Sequence, residues 1–156
     1  MAVTPKLTTS AACRVARIDR DRLNEHIAAG RFGCAPDTIP GRARLFDPDD
    51  MIALWLFREL IGDGLDVTRA GAAACEVARV ARQYPDSNTI TLIEDYFVPP
   101  TFHALPTSQV AKPEEWDTIG HGGVDVRKAT TFNISKTRKL IAHYTEEERS
   151  IIGEAD

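Results

Sequence analysis

Four polar side chains between residues 20 and 29 have the chemistry to read a nucleic acid. They are Arg20, Arg22, Asn24 and His26. Arginine donates two parallel hydrogen bonds to guanine, and asparagine pairs in a similar way with adenine. In a helix over residues 20–29, Leu23 and Ile27 form a narrow apolar stripe, so the polar side chains project from the rest of its surface. We therefore predict contacts with base edges in the major groove of duplex DNA.

Four further arginines flank this segment and suit a phosphate backbone. They are Arg14, Arg17, Arg42 and Arg44. Arg42 and Arg44 are separated by one residue, so an extended chain would place both guanidinium groups on one side. Contacts of this kind position a protein on DNA without reading its sequence. The alternative interpretation of both arginine sets is a solvated surface.

The charge of the chain is unevenly distributed. The 156 residues carry a formal net charge of −4. Residues 14–44 nevertheless contain seven arginines against four acidic residues, whereas residues 45–156 contain eleven basic residues against nineteen acidic ones. One face of positive sign is typical of proteins that meet phosphates. The asymmetry therefore favours a nucleic-acid partner for the N-terminal part.

Helix signals are strong in the first half of the chain. The predicted helices cover residues 10–16, 20–29, 48–61 and 67–83, with an irregular connection or short β-ribbon over residues 31–45. Asp19 is a good N-cap for the second helix, and Gly30 stands at its C-terminal end. Asp47 followed by Pro48 indicates the start of the third helix, which is apolar nearly all round and therefore buried.

The residue composition changes from helix-forming to strand-forming after Tyr84-Pro85, where the fourth predicted helix ends. Runs of β-branched and aromatic residues predict strands over residues 89–98, 107–111 and 124–134. Glycines at 120, 122 and 123 indicate a loop, and a helix is predicted over residues 136–144. An isolated half of this length would be marginally stable. We therefore expect the two halves to pack together or across a dimer. The predicted dimer contacts are Tyr96, Phe97, Leu140, Ile141 and Tyr144.

Residues 7 to about 80 resemble the DNA-binding domain of MerR-type transcriptional regulators. Ile18-Asp-Arg-Asp-Arg-Leu23 is similar to the turn and start of the family's recognition helix, and Arg44-Leu-Phe46 with Asp47-Pro-Asp-Asp50 is similar to the segment after its wing. Leu60 and Gly64-Leu-Asp-Val67 match the step between the following helices. The resemblance implies a winged helix-turn-helix. The chain departs from the family at Asn24-Glu-His-Ile27 and at Tyr84-Pro85, where typical members continue into a long dimerising helix.

Other classes of function find little support in the sequence. Phosphate loops, nucleophile elbows and metal-ligand spacings are absent from it, so we expect neither an enzyme nor a cofactor nor a metal. Three cysteines without a C-x-x-C pair argue against a disulfide framework or a zinc module, and Cys13 and Cys75, which stand among alanines, are expected to be small buried residues. The alternative interpretation of these cysteines is a soft-metal or redox sensor. The longest apolar run covers seven residues and the N-terminus lacks a signal sequence, so we expect no membrane partner.

These observations predict an α+β protein in two parts. Residues 7–84 form a winged helix-turn-helix DNA-binding domain, and residues 86–156 form β-strands and a C-terminal helix that joins two copies. The expected function is a cytoplasmic, nucleoid-associated transcriptional regulator of bacterial or phage type that binds double-stranded DNA as a homodimer. One alternative is an excisionase-like or architectural factor that bends DNA. Another is a protein-interaction module that docks on an acidic partner such as RNA polymerase.

Overall fold

The computed structural model describes residues 6–38, 40–118 and 125–152 of the chain. These residues form an α+β fold. The helices are α1 (Thr9–Ala16), α2 (Arg20–Ala28), α3 (Pro48–Gly62), α4 (Val67–Gln83) and α5 (Ile134–Ile152). The strands are β1 (Leu7–Thr8), β2 (Leu45–Phe46), β3 (Thr89–Glu94), β4 (Phe102–Pro106) and β5 (Lys128–Asn133).

The first two helices are separated by a sharp three-residue turn. The Thr8 hydroxyl accepts from the backbone N–H of Ala11 (3.3 Å) and caps α1. Arg17 ends α1 in the left-handed region, with φ at 61°, a conformation that non-glycine residues rarely adopt. The Asp19 carboxylate then accepts from the backbone N–H of Arg22 (2.9 Å) and starts α2. The predicted N-cap of α2 is confirmed.

The next two helices form the centre of the core. Asp47 and Asp50 make a reciprocal capping box at the start of α3, and every side chain from Met51 to Phe57 is buried. The α4 helix has the predicted bounds and begins at the N-cap Asp66. Its alanines at the contact with α3 let the two helices pack closely, because small side chains permit a short separation between helix axes.

The connection between α2 and α3 is fastened to this helical pair. Phe32 is buried and its ring stacks on Phe57 with 4.7 Å between centroids. A Cβ atom on Gly71 of α4 would lie 1.8 Å from the carbonyl oxygen of Arg31, so the connection touches α4 where α4 lacks a side chain. The ribbon of this region consists of β2 paired antiparallel with β1. Arg42 and Arg44 therefore precede the ribbon and lie outside it.

The second sheet has the order β4-β3-β5, and both pairings are antiparallel. Ile90 and Leu92 of β3 join the helical core. The strand predicted over residues 107–111 is wrong: the returning strand is β4, and Thr107–Gln109 form a 3-10 turn. The strand predicted over residues 89–98 ends at Glu94, because the next residue folds the chain into a turn. The strand predicted over residues 124–134 begins at Lys128, and the glycine loop at 120–123 and Val124 lie outside the described residues.

The C-terminal helix joins the two halves. Helix α5 is longer than the predicted 136–144 and packs on α1 and α3, so Ile134 and Ile141 belong to the same hydrophobic core as Val15 and Met51. Residues 7–84 and the later β-plus-helix segment thus share one core within the chain. That outcome agrees with the expectation that the two halves pack together.

The cysteine expectation is wrong for one pair. The Sγ atoms of Cys34 and Cys75 are joined in a disulfide, with 5.7 Å between the two Cα atoms. The pair is separated by 41 residues, and it forms because the connection after α2 packs on α4, a contact that local sequence patterns do not reveal. Cys13 is free and buried, as expected.

Candidate nucleic-acid interface

The exposed side of α2 carries three of the four predicted base-reading residues. Arg20, Arg22 and Asn24 are exposed, while Leu23 is fully buried and anchors the helix. The Arg20 guanidinium donates to the Ser10 hydroxyl on α1 (2.9 Å), which ties the start of α2 to its neighbour. The three polar side chains therefore project from a short helix whose opposite side is fixed by the core.

His26 has a different environment. Its Nδ1 atom accepts a hydrogen bond from the Arg31 guanidinium (2.9 Å), and its ring meets the Phe57 ring edge-on at 5.5 Å between centroids. Burial, followed by the positive charge of Arg31, lowers the pKa of His26 below its ordinary value. An acceptor at Nδ1 requires that nitrogen to be deprotonated, which agrees with the lowered pKa. The half-buried ring lies between Arg31 of the connection and Phe57 of α3, whereas Arg20, Arg22 and Asn24 are exposed.

The four predicted phosphate contacts fall into two groups. Arg14 forms an ion pair with Glu148 of α5, and the Arg17 guanidinium lies 4.9 Å from the centroid of the Tyr144 ring. Both arginines are exposed near the turn that precedes α2. Arg42 is exposed on the connection, whereas Arg44 is half-buried and donates to the carbonyl oxygen of Pro36. Arg44 therefore links two parts of the same connection, its end and the backbone of Pro36.

The predicted dimer contacts separate into an exposed group and an internal group. Tyr96 and Phe97 are 65% and 59% exposed at the tip of the β3–β4 hairpin. Ile141 is buried in the core of its own chain, Leu140 packs against that core, and Tyr144 stacks on Trp55 at 6.0 Å between centroids. The assignment of Ile141 to a surface contact is wrong, because α5 uses that side to pack on α1 and α3.

Sequence reasoning missed a buried carboxylate that builds the hairpin tip. Asp95 accepts hydrogen bonds from the backbone N–H groups of Phe97 (3.1 Å) and Thr101 (2.9 Å), from the Thr101 hydroxyl, and from His103 Nε2 (2.9 Å). Burial alone would raise the pKa of Asp95, but the hydrogen bonds from Thr101, His103 and Phe97 outweigh it and hold this pKa well below its usual range. An aspartate directly before an exposed aromatic pair and two prolines was the available signal, since aspartate favours turns.

A second buried carboxylate, Glu94, connects the sheet to α4. It pairs with Arg69 of α4 (3.0 Å), with Arg127 (3.0 Å) and with Lys128 (3.3 Å). Arg69 also donates to the carbonyl oxygen of Pro100 (3.1 Å), so the same guanidinium supports the hairpin loop. These contacts join residues 25 to 34 positions apart, and the sequence pattern offered no signal for them.

Comparison with known proteins gives no assignment. The chain matches no protein-family model and no curated protein sequence. The resemblance to MerR-type regulators therefore rests on the motifs between Leu7 and about residue 80.

The described residues form clefts, and they contain neither a cluster of metal-ligating side chains nor a membrane-spanning helix. Groups of three or more His, Cys, Asp or Glu side chains arranged to hold a metal ion do not occur among them. None of the helices in the same part of the chain has the length and apolar character needed to span a bilayer. An apolar cleft of about 200 Å³ lies between α3 and α5. A second cleft of about 190 Å³ lies beside the disulfide.

Proposed function

We propose that the protein is a sequence-specific transcriptional regulator that binds double-stranded DNA by placing α2 in the major groove. The observation that carries the proposal is the arrangement of α1, a three-residue turn and α2, with Leu23 buried and Arg20, Arg22 and Asn24 exposed. In a helix-turn-helix, the second helix presents its exposed side to base edges. These three residue types form the hydrogen bonds that distinguish guanine and adenine.

Phosphate contacts on either side of α2 complete the proposed interface. Arg14 and Arg17 lie at the end of α1 and in the turn, and Arg42 lies on the connection after α2. The β1–β2 ribbon ties the end of that connection to the start of α1. A wing of this type contacts the backbone and fixes how the recognition helix enters the groove. The arrangement supports the winged helix-turn-helix interpretation of the N-terminal part.

The proposal includes a homodimer. One nine-residue recognition helix covers too few base pairs for tight specific binding, and regulators of this kind usually bind two half-sites related by two-fold symmetry. The exposed hairpin tip with Tyr96 and Phe97 is the proposed contact between copies.

Selection of DNA fragments by the purified full chain at near-physiological salt tests the proposal. We expect an enriched inverted repeat whose half-sites lie about one helical turn apart. Fluorescence anisotropy on the enriched site should show affinity that falls with salt at a log-log slope of roughly −7, the value for about eight neutralised phosphates. Recovery of fragments without an enriched sequence would contradict sequence-specific binding, and a slope near zero would contradict DNA binding altogether.

A further inference from the structure

The disulfide joins two segments that also meet through hydrophobic packing, since Phe32 lies in the same core as the alanines of α4. Gly71 and Cys75 stand four residues apart and so occupy the same side of α4. Gly71 admits the backbone of Arg31, and one turn further along Cys75 is bonded to Cys34. The segment 31–38 that emerges from α2 is thus docked on α4 at two successive points.

The disulfide is accessible to a small reagent. Both cysteines are half-buried and line the cleft of about 190 Å³. Arg79 and Arg82 line the same cleft, where Arg79 pairs with Glu76 (2.6 Å) and Arg82 pairs with Asp47 (2.9 Å). Asp49 and Asp50 also line the cleft and pair with Arg82 (3.7 and 3.1 Å), so the cleft carries charges of both signs.

Cys13 provides the contrast within the same chain. It is buried in α1, and burial raises the pKa of its thiol to about 11. A thiol of that kind is inert toward exchange. The chain therefore contains an accessible cysteine pair and an unreactive third cysteine.

We propose that Cys34 and Cys75 form a reversible thiol–disulfide switch. A small thiol that enters this cleft reduces the bond. The redox state of the pair then controls how firmly residues 31–38 are docked on α4. A thiolate of the small reagent attacks one sulfur, the Cys34–Cys75 bond breaks, and the other cysteine leaves as a thiolate. A second small thiolate attacks the mixed disulfide and releases the second cysteine with a disulfide of the reagent. The two cysteine thiolates can then take protons from solvent. Two electrons pass from the small thiols to the protein, and the small disulfide reverses the sequence.

The consequence for DNA binding rests on the proposed function. Residues 31–38 begin shortly after α2 and lead to Arg42, so a docked segment holds the wing in place beside the recognition helix. The sequence predicts a cytoplasmic protein, and disulfides in such a reducing compartment are usually transient and redox-sensing. If the reduced segment is docked for about a tenth of the time, affinity for DNA falls roughly tenfold.

Alkylation followed by mass measurement tests the bond itself. In the full chain equilibrated with oxidised glutathione, we expect one alkylated cysteine after denaturation, and three after treatment with dithiothreitol. In the reduced protein before denaturation, we expect rapid alkylation of Cys34 and Cys75 and slow alkylation of Cys13. Three free thiols after equilibration with oxidised glutathione would overturn the proposal.

Thermal unfolding and limited proteolysis test the effect on the docked segment. A cross-link across 41 residues predicts that reduction lowers the Tm by about 10 °C and exposes residues 31–38 to protease. Cys34→Ser and Cys75→Ser should match the reduced protein and lose their response to dithiothreitol, whereas Cys13→Ala should keep the full response. Equal proteolysis of oxidised and reduced protein would overturn the switch.

DNA affinity measured in both redox states separates this proposal from the proposed function. A tenfold loss on reduction, absent in Cys34→Ser, supports both. Absence of DNA binding in both states refutes the proposed function, while the thermal and proteolytic measurements still decide the switch. DNA binding of equal affinity in both states overturns the switch as a regulator of that binding.

Discussion

At the scale of single residues, two exposed arginines have different proposed contacts with DNA: Arg22 contacts a base and Arg42 contacts a phosphate. Arg22 projects from α2 and Arg42 from the connection that follows it. We expect Arg22→Ala to cost about 1–3 kcal/mol on the selected site and to relax the preference at one base position. Arg42→Ala should weaken all sequences alike and reduce the magnitude of the salt slope by about 1. Competition anisotropy with specific and random duplexes measures both effects.

The control for these variants is Lys112→Ala, since Lys112 is an exposed basic residue in the C-terminal half. It should leave affinity and preference unchanged. If Arg22→Ala and Arg42→Ala alter binding in the same way, the division between base contacts and phosphate contacts is wrong.

Asp95 sets a dependence of stability on pH. Hydrogen bonds hold its pKa below the usual range, so its contribution to folding is fully present above the unfolded pKa of about 4. That contribution is lost as pH falls from there through the lower pKa of the folded state. Asp95→Asn should therefore be less stable than the wild type at pH 7, and the difference should shrink below about pH 4. Urea unfolding at a series of pH values measures this difference.

Asp86→Asn is the matched control for the Asp95 prediction. Asp86 is exposed and follows α4, so its replacement should leave the unfolding midpoint within experimental scatter at each pH. A difference between wild type and Asp95→Asn that stays constant from pH 7 to pH 2 would show that the carboxylate charge is not what stabilises the hairpin tip.

At the scale of elements, the boundaries that sequence could predict are those with local causes. The Asp47-Pro48 start of α3 and the apolar stripe of α4 depend on residues within one or two turns, so both helices were located correctly. The returning strand β4 was missed because its start depends on Asp95 binding Thr101 across the loop. Three of the four side chains predicted to contact bases, Arg20, Arg22 and Asn24, lie on the exposed part of α2, as the helical spacing indicates. The half-buried position of His26 depends on its contacts with Arg31 and Phe57, which the helical spacing of residues 20–29 cannot predict.

The close approach of the connection to α4 gives a prediction about Gly71. Alanine favours a helix by about 1 kcal/mol over glycine, but a Cβ here would meet the Arg31 carbonyl oxygen at 1.8 Å. We expect Gly71→Ala to destabilise the protein by about 1–3 kcal/mol, because two backbones must separate. Gly62→Ala, also within a helix but with open space around its Cβ position, should be neutral or slightly stabilising. Equal urea midpoints for the two variants would show that segment 31–38 does not dock on α4.

At the scale of the whole molecule, α5 determines which surface remains for a second copy. It packs on α1 and α3, and its contacts with Arg14, Arg17 and Trp55 connect the C-terminal half to the helices that carry the proposed DNA interface. The side of α5 that the sequence assigned to a dimer is therefore engaged within the chain. The exposed apolar residues that remain in the C-terminal half are concentrated at the hairpin tip, where Val98 is 97% exposed beside Tyr96 and Phe97.

The hairpin tip makes the dimer prediction specific. Burial of these side chains between two copies would stabilise a dimer through the hydrophobic effect. We expect light scattering to give twice the chain mass at DNA-binding concentrations, and the double change Tyr96→Ser with Phe97→Ser to give a monomer that binds a single half-site more weakly. Ile151→Ser removes an equally exposed apolar side chain from the end of α5 and should leave the dimer intact. A wild-type monomer at those concentrations would rule out the homodimer, and a dimer that survives the double change would place its interface elsewhere.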